Sequence, residues 1–424
     1  MSKPSPEPFA HEQFEPALLS DKPLEPAELA DKQFESEHFD IVISGGGMAG
    51  STLAWALLHA QPRLKLAIIE QQAEQVSPVS FDSRSIALAA GSVNKLQQWG
   101  LWPELAANAC AIKHIHVSDR GHFGKTQLTA AEYQQHALGY VLEVDYLGAL
   151  LSQKLANCKQ LKRFAPNTIS QITPTEQHQQ LTLNSGVIIK TSLLLIAEGG
   201  ASPSRTLAGF SVTERHYQQH AVITNLALNH SHQHRAFERF TEHGPIALLP
   251  LSKQRFSLVF TTTAEMASSL MQLDDDAFLH SVQQAFGYRA GIFKASGARA
   301  SYPLSLRVSG DIVRHRVALL GNSLHNLHPI AGQGFNLALR DIAELVRQVT
   351  AKPDDIGGYT MLRAYQQARQ HDIERVTTAT DALVRLFSNR SRTVALARNV
   401  GLLAMTLCDE LKRPLAEQAM GLRS

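Results

Sequence analysis

Apolar positions along this chain fall into three textures. Phe39, Ile41, Val42 and Ile43 form a short apolar run that stops at three glycines. Leu53, Ala54, Ala56, Leu57 and Leu58 then follow at helical spacing, and Leu66, Ala67, Ile68 and Ile69 make a second short run ending at Glu70. This pattern predicts strand, helix and strand in succession. Two further runs, 193–197 and 317–320, have the length and character of buried strands. Between Tyr217 and about Pro303 the texture changes to strand-like stretches beginning at Ala221, Glu238 and Phe256, which predict a mixed or antiparallel sheet outside the first unit. After Asp341 the pattern is mainly helical, and near its end Leu383, Val384, Leu386 and Phe387 alternate with Arg385, Arg390, Arg392 and Arg398. That stretch predicts core packing or a dimer face, with an anionic membrane surface as the alternative.

The first 37 or so residues carry none of these textures. Prolines at 4, 6, 8, 16, 23 and 26 oppose a long helix, and EPALLSDKPLE from Glu15 is echoed by EPAELADKQFE from Glu25. The expectation is a disordered acidic extension over 1–37, with a docking tail as the alternative. A length of 424 residues suggests two domains and a helical tail. A formal net charge of +2 with no dense Lys/Arg face argues against nucleic acid as a partner. Cys110, Cys158 and Cys408 lie far apart without metal-ligand spacing, so neither structural zinc nor a disulfide framework is expected and the compartment should be reducing. No apolar run reaches the roughly 20 residues of a membrane span. The expected location is cytoplasmic, with peripheral attachment at the inner membrane left open.

Candidate chemistry concentrates at two glycine clusters. In Gly45-Gly46-Gly47-Met48-Ala49-Gly50, Gly45 permits the turn, Gly47 lets a pyrophosphate approach the backbone, and Gly50 lets helix and strand pack closely. Glu70 follows Gly50 by 20 positions at a strand end, where it can accept from ribose hydroxyls. The second cluster is GNSLHNLHPIAGQGFNLALRD from Gly321 to Asp341. Gly321 lets the chain leave a strand close to a ligand, and His328-Pro329 fixes an extended bend. Gly332-Gln333-Gly334 then opens a helix whose free N–H groups suit an anion. The plainer reading is a tight strand-to-helix connection with no ligand. Arg84 precedes Ile86, Leu88 and Ala89, read here as a helix, and a cation near a helix start points to an anionic partner. Trp99, Leu101 and Trp102 are expected to be core.

The second cluster resembles the second flavin fingerprint of the para-hydroxybenzoate hydroxylase class of flavoprotein monooxygenases. Within that class it resembles the ubiquinone-biosynthesis branch typified by 2-octaprenyl-6-methoxyphenol hydroxylase, as do the ERFT…GPIALLP run from Glu238 and LFSNR…RNVGLLAM near the C-terminus. The resemblance implies a Rossmann-like FAD-binding domain of that type, a mixed β-sheet substrate domain and a helical C-terminal region, an α/β fold. Its implied domains are FAD-binding at 38–113, 141–212 and 307–365, substrate-binding at 114–140 and 213–306, and helical at 366–424. The implied FAD ligands are Gly45, Gly47, Met48, Ala49, Gly50, Glu70, Arg84, Glu143, Glu198, Gly199, Gly321, Asn322, Gly332, Gln333, Gly334 and Asn336. Glu198 and Asn322 stand where the family carries aspartate, and Glu143 reads equally as a helix cap. The implied reaction takes electrons from NADH or NADPH, activates O2 as a flavin hydroperoxide and hydroxylates a polyprenylated phenol. No side chain stands out as acid, base or nucleophile, since the flavin carries the chemistry; His328 and Pro329 are the residues nearest to catalytic candidates. There is no second glycine fingerprint for a pyridine nucleotide. Other quinone-biosynthesis proteins and a second copy of the chain are further expected partners. A flavin-dependent dehydrogenase or prenyl reductase, and a flavin-stabilised scaffold subunit, are the rival readings.

Overall fold

The computed structural model describes residues 36–73, 83–327 and 332–387, and separate positions between 399 and 421. The expected extension before Ser36, the His328-Pro329 bend and the arginines at 390, 392 and 398 lie outside the described residues. The strand–helix–strand unit forms as its pattern predicts: Glu37–Ser44, Met48–Ala60 and Leu66–Ile69. Glu37–Ser44 pairs in parallel with Leu66–Ile69 on one side and with Ile188–Ile196 on the other. Val317–Leu319 and Leu161–Phe164 extend the parallel core to either side, within an eight-stranded sheet. Ile41, Val42 and Ile43, Leu66–Ile69, Leu193, Leu194, Leu195 and Ile196, and Val317–Leu319 are apolar and buried, as the unbroken runs imply, whereas the edge strand Leu161–Phe164 carries Lys162 and Arg163 and is at most half-buried.

The second sheet has nine strands and is mixed. Val212–Leu228, Arg255–Thr263, Gly244–Leu251 and Arg235–Thr241 run antiparallel in that order, and His114–Asp119 adds to the last in parallel. Helices Ala264–Gln272 and Asp275–Phe286 cover one face, burying Phe237, Leu248, Leu258 and Phe278 in a separate core. A third sheet of three strands, Ser85–Ala89, Gly139–Glu143 and Cys110–Ile112, packs near the other face through Ile112 and Val141 against Ala236 and Leu251.

One expected element is different. Ile86, Leu88 and Ala89 are in a strand, and the helix begins at Ala90. Good helix formers are held extended because Ser85–Ala89 pairs along its whole length with Gly139–Glu143, which lies far away in sequence. Trp99 and Leu101 are core, and Trp102 is partly buried against it. The run from Leu138 gives a strand and then the helix Val144–Ala156. Among the described residues no helix is long and apolar enough to cross a membrane.

Candidate cofactor site

At the end of the first strand the three glycines divide their work. Gly45 has φ +104°, and a Cβ there would lie 2.7 Å from the Ala197 carbonyl oxygen. At Gly50 a Cβ would come within 1.9 Å of the Gly45 carbonyl oxygen. Gly47 is exposed, and a Cβ there would meet no described atom within 4 Å. It occupies the cap position of the helix Met48–Ala60, where no side chain caps the free N–H groups; Met48 and Ala49 are half-buried behind it. Glu70 reaches back to this turn: its Oε2 accepts from Gly46 N at 2.6 Å and its Oε1 from Gln72 N at 2.9 Å.

The second cluster sits beside the first. A Cβ on Gly321, at φ +57°, would lie 3.4 Å from Ala338 Cβ and 3.6 Å from Ala49 Cβ, so the second turn abuts the first helix's start. Gly321 N donates to Asp341 Oδ2 at 2.9 Å, and the same oxygen meets His325 Nε2 at 2.7 Å. Arg369 Nε donates to the other oxygen at 2.8 Å. Burial alone would raise the Asp341 pKa, but the His325 and Arg369 charges and the two hydrogen bonds from His325 and Gly321 hold it below the ordinary aspartate value. Asp341 thus anchors the turn from beneath. The helix Gln333–Ala351 starts at Gly332, which is left-handed at φ +61°; a Cβ there would lie 2.9 Å from Ala87 Cβ. Asn322 is exposed, and its Oδ1 lies 4.0 Å from the Cβ position of Gly334.

Several expected ligands have their side chains turned inward. Asn336 Oδ1 accepts from Ala89 N at 2.8 Å, and its Nδ2 donates to Ala87 O at 2.8 Å and Gly332 O at 2.7 Å. It therefore pins the strand Ser85–Ala89 to the helix start. Glu198 accepts from Ser44 Oγ at 2.5 Å, Ser202 Oγ at 2.7 Å, Ser204 N at 3.0 Å and Ser204 Oγ, clasping two strand ends to the turn that follows. Gly199 N donates to Ser323 Oγ at 3.1 Å, joining that turn to the second cluster. Arg205 strengthens the join, with Nη1 on Ser323 O at 2.8 Å and Nη2 on Gly200 O at 3.0 Å. A cleft of about 350 Å³ opens beside it, lined by Gly200, Ala201, Ser202, Arg205, Glu214 and Arg307 among others. Glu143 occupies the cap position of Val144–Ala156, but its side chain caps nothing; it is 2% exposed and lies 3.0 Å from Arg255 Nη2.

Arg84 is exposed, and no described acceptor pairs with its side chain. Arg84 precedes a strand and not a helix start, so no helix dipole acts on it, and it stands open beside the third sheet. Sequence reasoning overlooked Asp341, His325 and Arg369. The available signal was an aspartate beside Ile342 and Leu345 on the buried face of an amphipathic helix, a place where an unpaired carboxylate would be costly.

A family model described as "FAD binding domain" matches residues 38–380. The chain belongs to that family. It is an FAD-dependent aromatic-ring monooxygenase, homologous to the ubiquinone-biosynthesis hydroxylases. It is 33% identical over 386 residues to ubiquinone hydroxylase UbiL of Rhodospirillum rubrum, covering 90% of this chain and 89% of that one. To the 3-demethoxyubiquinol 3-hydroxylase of Escherichia coli it is 29% identical, covering 90% and 98%. Its fold matches that of p-nitrophenol 4-monooxygenase PnpA from Pseudomonas putida DLL-E4, with a TM-score of 0.74 at 14% identity over 91% of this chain and 98% of that one. The fold is thus the para-hydroxybenzoate hydroxylase type, with its Rossmann-like unit, mixed sheets and helical C-terminal region. In this monooxygenase the first turn fits FAD on its own geometry: Gly45 and Gly50 are required by neighbouring protein, whereas the space at Gly47 is free of described protein atoms and faces uncapped N–H groups.

Proposed function

We propose that this monooxygenase hydroxylates the aromatic ring of a polyprenylated, methoxylated phenol on the route to ubiquinone, consuming O2 and either NADH or NADPH. The observation that carries the reading is the meeting of the two glycine clusters at Gly321, Ala49 and Ala338, beside a sheet whose inner face carries an aliphatic row of Ala247, Val259 and Ile223. The substrate class is supported by relatives named as a ubiquinone hydroxylase and a 3-demethoxyubiquinol 3-hydroxylase, each matched across nine-tenths of the chain. FAD would supply the redox chemistry and the activation of oxygen.

The chain's own residues bind, orient and exclude water. Gly45, Gly47, Met48, Ala49 and Gly50 present backbone to the pyrophosphate, with Arg84 as its counter-charge, while Glu70 receives ribose hydroxyls. Gly332, Gln333 and Gly334 offer a positive helix start to the flavin's pyrimidine edge, and Asn322 an amide to its ribityl chain. Gly321 and Gly199 shape the turns between them. Glu143, Glu198 and Asn336 act on this reading by holding the cradle rather than by touching the cofactor. An isoprenoid tail calls for bilayer access, which makes peripheral contact with the inner membrane part of the proposal.

The test is NADH and NADPH oxidation by the FAD-loaded protein, measured with and without a prenylated methoxyphenol in detergent or liposomes. The expected result is slow oxidation alone and a clear acceleration with the phenol. Equal rates with and without every phenol tried would overturn the substrate assignment.

A further inference from the structure

The two faces of the nine-stranded sheet are chemically different. One is sealed by helices. On the other, a single row crosses six strands: Val117, Glu238, Ala247, Val259, Ile223 and Ala300 stand side by side, each half-buried. Five are small or branched aliphatic residues. Glu238 is the exception, and among the described residues no hydrogen bond or ion pair reaches its carboxylate. The same face looks toward the cofactor side of the molecule: Asn225 Nδ2 donates to Ser83 O at 2.9 Å, next to Arg84, and Ala236 packs with Val141 opposite Ala87, the residue against which Gly332 rests.

Resting on the substrate reading above, we propose that Glu238 is the group that takes the phenolic proton of the substrate as the ring is hydroxylated. The O–H bond of the phenol breaks and an O–H bond forms on the carboxylate. The freed electron pair moves into the ring and forms the new carbon–oxygen bond as the O–O bond of dioxygen, already reduced by two electrons from NADH or NADPH, breaks; the other oxygen leaves with that bond's electron pair and, once protonated, is water. When the ring hydrogen leaves as a proton to solvent and aromaticity returns, Glu238 gives its proton back to the phenolic oxygen, so the carboxylate is regenerated.

The placement suits this role. An isolated carboxylate on an apolar wall has no structural partner, and such groups concentrate where chemistry is done. Burial pushes the Glu238 carboxyl up to about 7, so a base is available near neutral pH. Of the other titratable groups on this face, Asp119 accepts from Asn399 Nδ2 at 3.0 Å, Arg255 lies 3.0 Å from Glu143, and Tyr302 is exposed two residues beyond Ala300. Arg239, the next residue along, points to the opposite face.

The experiment uses the full chain loaded with FAD, a short-chain prenylated methoxyphenol and its more acidic fluorinated analogue. Binding is followed by the change in flavin absorbance, and kcat/KM by oxygen consumption against pH. We expect the wild-type rate to rise through a limb near pH 7. Glu238→Gln should bind the phenol with unchanged affinity, lose about 100-fold or more in kcat, shift the limb toward the phenol's own pKa, and recover with the fluorinated analogue. Glu238→Asp should keep an intermediate rate and serves if the Gln variant fails to fold. Substrate bound and turned over by Glu238→Gln with the wild-type limb would overturn the role of Glu238 alone. No binding of either phenol by wild type would instead overturn the substrate reading, and this role with it.

Discussion

Gly47 and Gly50 lie three residues apart in one turn, yet they answer to different constraints. A methyl group at Gly50 would overlap the Gly45 carbonyl, whereas one at Gly47 would touch no described atom. The first glycine is demanded by the protein itself and the second by whatever the protein holds. The same division runs through the polar residues. Asn336, Glu198 and Asp341 spend their side chains on backbone, hydroxyl and guanidinium groups of the chain, while Arg84 and Asn322 are exposed. A nucleotide cradle is therefore two layers, an inner one that fixes the turns and an outer one that faces the ligand, and substitutions should separate them.

The largest effect is expected from Gly50→Val, because neither the Gly45 carbonyl nor Ile43 can withdraw without parting helix from strand. A loss of more than about 4 kcal/mol is the expectation, read as failure to fold or as a steep drop in the denaturation midpoint of the apoprotein. Asp341→Asn comes next, with a cost of about 3–5 kcal/mol for leaving the Arg369 and His325 cluster without its anion. Asp341 also sets a pH dependence. Its folded pKa is depressed, so its contribution is present above the ordinary aspartate value near 4 and is lost as pH falls through the lower folded value. Thermal melts of wild type and Asp341→Asn should accordingly converge at strongly acid pH, and a constant gap there would contradict the anchoring role.

Gly47→Val should leave the melting temperature of the apoprotein within a few degrees of wild type and abolish FAD binding. A Gly47→Val protein saturated with FAD would erase the contrast with Gly50. The smallest effect is expected at Arg84→Ala, a weakening of FAD by about 1 kcal/mol at low salt that shrinks at high salt. Titration of apoprotein with FAD at two ionic strengths checks it, and an unchanged affinity at both would remove Arg84 from the outer layer.

What could be read from sequence follows the same division. The turn from Ser44 to Gly50 was legible because its parts are adjacent and its apolar runs are local. The strand Ser85–Ala89 was not, because its alanines and leucine favour a helix and only pairing with Gly139–Glu143 holds them extended. The sites of Asn336, Glu198 and Glu143 were legible as positions and not as roles. Asn336 meets Ala89 across 247 residues of chain, and Glu198 meets Ser44 across 154, so no local pattern announces that these groups are already engaged. Glu238 was visible only as part of a strand-like run. Its isolation emerges once five neighbouring strands are placed beside it.

Transfer of an oxygen atom to a phenol ring by this chain is read from mass spectrometry of the product formed under labelled dioxygen. FAD-loaded protein, NADH or NADPH and prenylated methoxyphenols of several tail lengths are combined, and peroxide release is measured in the same samples. One labelled oxygen in the ring is expected, with peroxide a minor fraction of the nicotinamide consumed. Product formed without oxygen, or no label in any prenylated phenol, would contradict oxygen transfer to the ring.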